Sequence, residues 1–400
     1  MPSPRRSRIR LLPLLAHAVL ILGGVTMLVP LLWMVSTSLK APDAVGDFPP
    51  EFIPREQETW RDPQTGRKLP VYTLSGTPDT LVGHRRVVTL PDRSVGRTDQ
   101  RVVRLRTAPG EAEVAPLLAD NQLGPAFTVR LAPGVLTPVK QVRLRWSNYP
   151  EAWSALRLQR NWLAWELPYQ VNLGFAKLGP FRFPGFPLRN AFVAFYLNSL
   201  IVTILVTAGA VFTSSLAAFA FSRLTFPGRD KLFLGYLGTM MVPAVVTMIP
   251  VFVLLKVMGW IDTYAAMILP PMFTAYGTFL LRQFFLSIPR DLEDAAKMDG
   301  CGLWGVYRHV ILPLSGPALA TLTTFIFLGT WNSFMWPLIV INSMEKRPLM
   351  LGLYAFMSQY NTDWPLLMAA SVMVMAPVIV VFIIGQRYFV KGIVLSGMKG

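Results

Sequence analysis

The residues whose types and spacing could do chemistry concentrate in one stretch, Ser287-Ile288-Pro289-Arg290-Asp291-Leu292-Glu293-Asp294-Ala295-Ala296-Lys297-Met298-Asp299-Gly300. Pro289 suits the first turn of a helix, and Asp291, Glu293 and Asp294 complement the positive end of its dipole. Gly300 and Gly302 break that helix. A second short helix, about Leu303 to Val310, then runs on to Leu312-Pro313. The small Ala295 and Ala296 leave room for another backbone to approach closely. This is the chemistry of docking, not of bond-making. An ordinary capped connector would share these features, yet a loop of about 25 residues, 287–312, with capped helices of its own is long for a bare connection.

The groups that would make or break bonds are absent from the sequence. There is no GxxxxGK[ST] phosphate loop and no HExxH pair, and His17, His84 and His309 lie far apart. One cysteine, Cys301, excludes an intrachain disulfide and any multi-cysteine metal site. No catalytic residue, metal or cofactor is expected.

The elements that hold the loop follow from composition. Hydrophobic residues make up 52% of the 400 and charged ones 15%, against about 25% charged in a soluble domain. Most of this surface therefore does not face water. A net charge of +16 would ordinarily raise nucleic acid as a partner. In so apolar a chain it asks instead which side of a membrane the basic residues occupy. Arg5, Arg6, Arg8 and Arg10 precede an apolar run, Leu11 to Val35, that is too long for a signal peptide and suits an uncleaved anchor. Further helices are expected at about 192–222, 231–258, 263–286, 313–341 and 366–388, six spans in all with both termini on one side. Arg223, Arg229, Lys231, Arg282, Arg290, Lys297, Arg308, Arg387, Lys391 and Lys399 fall on that side with the N-terminal cluster, so it is read as cytoplasmic. Ionisable residues within the spans are few, with Lys256 and Arg282 placed near helix ends where they can snorkel. An ion-driven pump usually buries Asp, Glu or His in its pathway, which argues against that class.

Residues 41–190 read as soluble. Val87-Val88-Thr89-Leu90, Val102-Val103-Arg104-Leu105-Arg106, Phe127-Thr128-Val129-Arg130-Leu131 and Val142-Arg143-Leu144-Arg145-Trp146 have the period of half-buried strands. Turn signals separate them at Leu90-Pro91-Asp92, Ala108-Pro109-Gly110 and Ala132-Pro133-Gly134. A β-rich insert at about 55–147 is expected, followed by a helix from Asn148 to Arg160. The isolated His84 within it is read as structural or incidental.

Asp294-Ala295-Ala296, then Gly300, then Ile311-Leu312-Pro313, resembles the EAA loop of importer-type ABC transporter permeases. Leu280-Leu281-Arg282-Gln283-Phe284-Phe285 resembles the carbohydrate permease branch. So do Trp331-Asn332-Ser333-Phe334-Met335-Trp336-Pro337-Leu338, Gln386-Arg387-Tyr388-Phe389-Val390-Lys391-Gly392, Asn198-Ser199-Leu200 and Ala217-Ala218-Phe219-Ala220. The resemblance, to the maltose/glycerol-phosphate type of permease, covers about 1–50 and 148–400. Asp294 stands where that family usually has Glu, one methylene longer, and the neighbouring Glu293 is expected to share its role. Cys301 stands where Ala is common, which suggests packing. About 93 residues separate Phe48-Pro49-Pro50-Glu51-Phe52-Ile53-Pro54 from Asn148-Tyr149-Pro150-Glu151-Ala152-Trp153, segments close together in relatives, and the resemblance does not explain them.

The resemblance implies an all-α polytopic membrane protein of six transmembrane helices with a β-rich extracytoplasmic insert between helices 1 and 2. The organisation expected is 1–40 for the N-terminus and first span, 41–190 outside, and 191–400 as a five-helix core. It also implies a plasma-membrane subunit working with a homologous permease, two ATP-binding cassette ATPase subunits and an extracytoplasmic solute-binding protein. Glu293, Asp294, Ala295, Ala296, Asp299, Gly300, Leu312 and Pro313 would form the ATPase-coupling loop. Sugars are held by stacking and hydrogen bonds, so Tyr276, Trp331, Asn332, Ser333 and Trp336 are candidates for the substrate path, although Trp and Tyr also belong at bilayer interfaces. The loop 342–365, with Tyr354, Tyr360 and Trp364, resembles one that reaches into the docked binding protein. A non-sugar solute such as a phosphodiester or polyamine, and a non-transporting receptor or scaffold, remain open alternatives.

Overall fold

Leu11–Ser38 carries no Asp, Glu, Lys or Arg and forms helix α1. The structure is a computed structural model describing residues 11–45, 51–74, 100–118, 121–130, 136–163, 165–167, 171–172, 177–178, 181–183, 185–359 and 363–397. The N-terminal arginines, His84, the stretch 87–92, the turn 132–134 and Tyr360 lie outside the described residues. The chain divides into two compact units, Met1–Asn148 and Tyr149–Gly400. The first helix thus groups with the strands that follow it, and 149–190 groups with the later helices.

In the first unit, Ala16–Ser38 is long and apolar enough to cross a membrane. Beyond it come strands β1 (Arg55–Gln57), β2 (Thr59–Arg61), β3 (Lys68–Leu74), β4 (Gln100–Ala108), β5 (Glu111–Pro116), β6 (Phe127–Arg130), β7 (Leu136–Pro138) and β8 (Lys140–Val142). The main sheet runs β2-β3-β4-β5-β6, with β7 also on β3, while β1 pairs with β8. Both faces of β4 are covered. Val102 packs with Tyr72, Ala112, Val114 and Val129, and Val103 packs with Trp60 and Val71. The turn at Pro109-Gly110 closes the β4–β5 hairpin with Gly110 at φ +78°, a left-handed conformation that glycine adopts without a Cβ penalty. Of the stretch 142–146, only Val142 lies in a strand.

In the second unit, the helix expected over 148–160 ends early: α2 is Asn148–Ser154. Leu158 N–H bonds to Arg189 O at 2.9 Å, and Trp162 and Phe186 exchange backbone bonds at 3.0 and 2.8 Å. Extended pairing with 186–190 has replaced the helix. Helix α3 (Ala191–Arg223) then starts on Asn190, whose side chain accepts from Val193 N at 3.3 Å. It is followed by α4 (Arg229–Gly238), α5 (Ala244–Val257), α6 (Tyr264–Ile268), α7 (Ala275–Leu286), α8 (Asp291–Met298), α9 (Leu303–Val306), α10 (Leu312–Leu314), α11 (Gly316–Trp331), α12 (Met335–Val340), α13 (Leu349–Gln359) and α14 (Trp364–Gly397).

The expected spans are more broken than a hydropathy pattern conveys. The run 231–258 is bent by 98° at Val242-Pro243, and 303–331 by 78° around Ser315. Pro270-Pro271 interrupts the stretch between α6 and α7. Each break has a proline within two residues, and proline donates no backbone hydrogen bond. The span expected over 313–341 ends at Trp331, with α12 a separate piece. Among the described residues four helices are long and apolar enough to cross a membrane, and the count reaches six if each bent pair is one span.

Helix α3 is the axis of this unit and contributes residues to three cores. Phe192 and Phe195 pack with Leu349, Phe356 and Leu366. Val202 and Val206 pack with Leu255, Met267 and Val340, and Ala218 and Phe219 pack with Leu281, Phe285 and Ile311. Small residues let α3 and α7 meet closely. A Cβ at Gly277 would lie 2.5 Å from Ser214 Oγ and 2.9 Å from Thr274 Cγ2. We expect Gly277→Val to force these helices apart and cost about 1–3 kcal/mol. Gly235→Ala, with nothing within 4 Å of the new Cβ, should leave stability unchanged or slightly raised. Thermal unfolding of both variants in one detergent checks the contrast, and equal shifts would contradict it.

Candidate functional site

The acidic stretch folds as an amphipathic turn of helix with two different faces. Glu293 and Asp294 N–H groups bond to Arg290 O at 2.8 and 3.0 Å, which starts α8 just after Pro289 rather than at it. Cys301 N bonds to Ala296 O at 2.9 Å and Gly300 sits at φ +84°, which ends it. Ala296 and Cys301 pack on the core of Leu281, Phe285, Val306, Tyr307 and Ile311. Asp294, Ala295 and Asp299 face outward, and Asp294 Oδ1 meets Lys297 Nζ at 3.0 Å. Leu292, Met298, Leu303 and Trp304 are exposed beside them. Four large apolar side chains on a polar loop form a surface suited to a protein partner, and sequence reasoning had passed over them.

Glu293 does something else. It was expected to share the outward role of Asp294, but consecutive residues point about 100° apart on a helix. Its carboxylate turns inward, where Oε1 lies 2.8 Å from Arg223 Nε, with side chains only 7% and 3% exposed. Arg223 Nη2 also donates to Phe285 O at 2.5 Å and Ile288 O at 2.8 Å. One guanidinium thereby joins the last turn of α3, the end of α7 and α8. Leu312 is half-buried and Pro313 exposed, after a π-helical turn at Tyr307–Ile311 whose Tyr307 hydroxyl is 2.7 Å from Ser215 Oγ. These two residues brace the loop where it enters the 78° bend.

Near the first turns of α3 lies a second constellation. Asn198 is fully buried and uses its whole hydrogen-bonding capacity. Its Oδ1 accepts from Trp162 Nε1 at 2.7 Å and Tyr264 OH at 2.6 Å. Its Nδ2 donates to Glu345 O at 2.8 Å and Arg347 O at 2.9 Å. Asp262, at φ +61°, accepts from Asn342 N at 3.0 Å, Ser343 N at 2.9 Å, Ser343 Oγ and Lys346 Nζ at 3.3 Å. Burial works to raise the Asp262 carboxyl, but the bonds from Ser343 and Asn342 and the charge of Lys346 outweigh it and hold it below the ordinary aspartate range. Together these residues clamp the segment 342–347 to α3 and to the turn before α6.

Beside the clamp is a cavity of about 260 Å³ lined in part by Ser199, Thr203, Thr330, Ser333 and Trp336. The Thr203 hydroxyl is buried and has no hydrogen-bond partner among the described residues. Of the aromatic and polar candidates, Ser333 and Trp336 reach this cavity, with Trp336 Nε1 anchored on Ala266 O at 2.9 Å. The others do not. Trp331 is core: it stacks on Phe327 at 5.8 Å and its indole N–H points at Val374 O, 3.4 Å away. Asn332 bonds back to Leu328 O at 2.9 Å, and Tyr276 is exposed on the first turn of α7. Ser199 and Thr203 were missed as lining residues, although their spacing of four puts them on one face of α3. Among the described residues no group of three or more His, Cys, Asp or Glu could hold a metal ion.

Comparison with known proteins agrees with this arrangement. Residues 210–394 match the model for the binding-protein-dependent transport system inner membrane component. The chain is 36% identical over 203 residues to the arabinooligosaccharides transport system permease protein AraQ of Halalkalibacterium halodurans, covering 51% of this chain and 73% of that one. It is 36% identical over 199 residues to the sn-glycerol-3-phosphate transport system permease protein UgpE of Brucella abortus, covering 49% and 71%. A crystal structure of a bacterial ABC transporter involved in the import of the acidic polysaccharide alginate aligns over 97% of this chain and 100% of its own, at TM-score 0.57 and 19% identity, a likeness of fold.

Two expectations follow from the geometry. Glu293→Gln leaves the Arg223 charge buried and uncompensated, so it should cost about 3–5 kcal/mol. Asp294→Asn, at an exposed pair, should cost no more than about 1 kcal/mol. Detergent unfolding curves of the two variants test the difference. For Asp262, a carboxyl lowered on folding contributes its full stability above the unfolded value of about 3.9. That contribution fades as pH falls through the still lower folded value. The distance between nitroxide labels placed at the turn before α6 and in the segment 342–347 should therefore hold constant from neutral pH to about 4 and lengthen only in stronger acid. Asp262→Asn should abolish the acid step.

Proposed function

The chain belongs to the family of binding-protein-dependent transport system inner membrane components, and on that premise we propose that it passes a sugar or oligosaccharide inward as a permease subunit. The observation that carries this reading is the two-faced α8: an exposed edge of Asp294, Asp299, Leu292 and Met298 outside, and Glu293 clamped to Arg223 inside. A surface loop that only connects two helices needs no buried ion pair to the far end of a third. Such a pair makes the loop and α3 move as one body. An ATPase that grips the outer edge could then tilt α3, a rigid-body switch between two packed states.

In this proposal two ATP-binding cassette subunits dock on 287–312, Asp294 facing a basic group of the ATPase, while a homologous permease completes the passage. A solute-binding protein delivers from the opposite side. Each bent pair counts as one span, giving six, with both termini cytoplasmic and the strands of the first unit outside. The cavity holding Ser333 and Trp336, extended by Ser199 and Thr203, is the part of the path read as contacting solute. The relatives named for arabinooligosaccharide transport favour a sugar. A second reading, a phosphorylated polyol, is favoured by the similarity to the sn-glycerol-3-phosphate permease. Ligand screening of the cognate binding protein separates them.

The coupling role is tested by Asp294→Lys, which reverses an exposed charge without touching the core. We expect loss of ATPase co-purification and at least tenfold slower uptake in proteoliposomes. Unchanged assembly and uptake would remove the docking role from this residue. Gly300→Leu should act similarly, since a left-handed backbone costs a non-glycine residue about 1–2 kcal/mol and no neighbour lies within 4 Å to compensate.

A further inference from the structure

The first unit turns an apolar edge to solvent at the place where α1 ends. Phe52, Ile53, Val142, Leu144 and Trp146 are each between 46% and 63% exposed. Across 142–145 Val142 and Leu144 alternate with Arg143 and Arg145, which an extended chain sends to opposite sides, and Trp146 follows in a turn closed by Asn148 N on Arg145 O at 3.2 Å. This is no loose surface loop. Arg143 N donates to Pro54 O at 3.2 Å and Arg145 N to Leu39 O at 2.9 Å, while Val142 pairs with Arg55. Asn148 Nδ2 donates to Ser38 O at 2.8 Å and Lys40 O at 2.9 Å, fixing the far end of the run to the last residues of α1.

The depth of this edge is set by the helix itself. The Phe52 ring meets the Trp33 ring edge-on at 4.9 Å, Ser36 Oγ donates to Phe52 O, and Lys40 Nζ donates to Glu51 O at 2.6 Å. Trp33 lies five residues before the end of α1, about 7.5 Å along its axis. Phe52 therefore sits level with the last turns of the apolar helix, not beyond them. Trp33 with Lys40 over its ring at 4.2 Å is the combination expected at the headgroup level of a bilayer.

We propose that Phe52, Ile53, Val142, Leu144 and Trp146 form a lipid-contact edge. It beds the strand-rich part of this unit into the boundary between headgroups and acyl chains where α1 leaves the bilayer. Arg143, whose side chain is 73% exposed while pairing with Glu56 at 3.3 Å, and Arg145 face the phosphates. The edge is tied to the last turns of α1 through Trp33, Ser36 and Lys40, so the bilayer that α1 crosses is the occupant it meets. An apolar patch continuous with a membrane helix is stabilised by burial in the interface, as amphipathic anchors are. The inference rests on α1 as a membrane span and is independent of the solute carried.

Single cysteines carrying a nitroxide at Ile53, Val142 and Leu144, with Gln141 and Arg143 as neighbours, test it in a Cys301→Ser background. The full chain is assembled with its partner subunits in phospholipid nanodiscs. Labels at 53, 142 and 144 should collide preferentially with oxygen, and those at 141 and 143 with a water-soluble nickel chelate. Nickel access at all five positions overturns the proposal. Protection of 53, 142 and 144 from both reagents also overturns it, because a protein partner then covers the edge. A label at Leu28 in α1 reports the span separately, since its failure to collide with oxygen would refute the membrane reading of α1 instead. Brominated lipid should quench wild-type fluorescence more than that of Trp146→Phe, and equal quenching counts against the edge.

Discussion

A buried ion pair needs both partners or neither, and that requirement organises the α8 end of the helical unit. Arg223 stands at the last turn of a 33-residue helix. It is almost wholly removed from water, where an isolated guanidinium would be costly. Glu293 neutralises it, and the carbonyls of Phe285 and Ile288, at and just past the end of α7, both accept from its Nη2. The pair adds little net stability over an apolar contact of the same shape. What it adds is registry: α8 cannot slide along α3 by a turn without stranding a charge.

The other end of α3 is held by a different chemistry to a similar effect. Asn198 accepts two and donates two hydrogen bonds, so the segment before α3, the start of α6 and the segment 345–347 share one side chain. Between the two ends α3 is lined with small and hydroxylated residues, and its neighbours are broken by prolines. A 33-residue helix held near both ends, set among broken ones, ties the two ends of the unit together. The cavity lined by Ser199 and Thr203 lies on this same helix.

Much of this was legible in the sequence, and the parts that were not share a cause. Capping and turn chemistry are local, so α8, its acidic first turn and the left-handed Gly300 could be read from fourteen consecutive residues. The direction of Glu293 was not local, because its partner is 70 positions upstream and the adjacent Asp294 has the same charge. Trp331 and Trp336 look alike in a motif, yet only packing against Phe327 and Tyr196 assigns the first to the core. Hydropathy marked where the apolar segments lie but averaged over the breaks at Val242-Pro243 and Ser315, since a bend removes two or three hydrogen bonds without changing composition. The early end of α2 was hidden for a related reason: the pairing of 158–162 with 186–189 competes with helix at long range, and propensity does not record it.

The alternation in 142–146 shows how one pattern supports two different conclusions until a third element fixes it. As a sequence it has the period of a strand with one face in a core. In the fold the apolar side of that period meets no core, because only Val142 pairs within a strand and the stretch beyond it is tied to Pro54 and Leu39 instead. Among the described residues the first unit's two small cores, around Val102 and Val103, do not include Leu144 or Trp146, which are 46% and 63% exposed. The lipid-contact edge proposed above supplies a constraint that favours them. The end of α1, bound through Asn148 and Arg145 to this same stretch, brings the hydrocarbon boundary to it. The basic alternation then gains a meaning that periodicity alone did not give: apolar residues toward the acyl chains, arginines toward the phosphates.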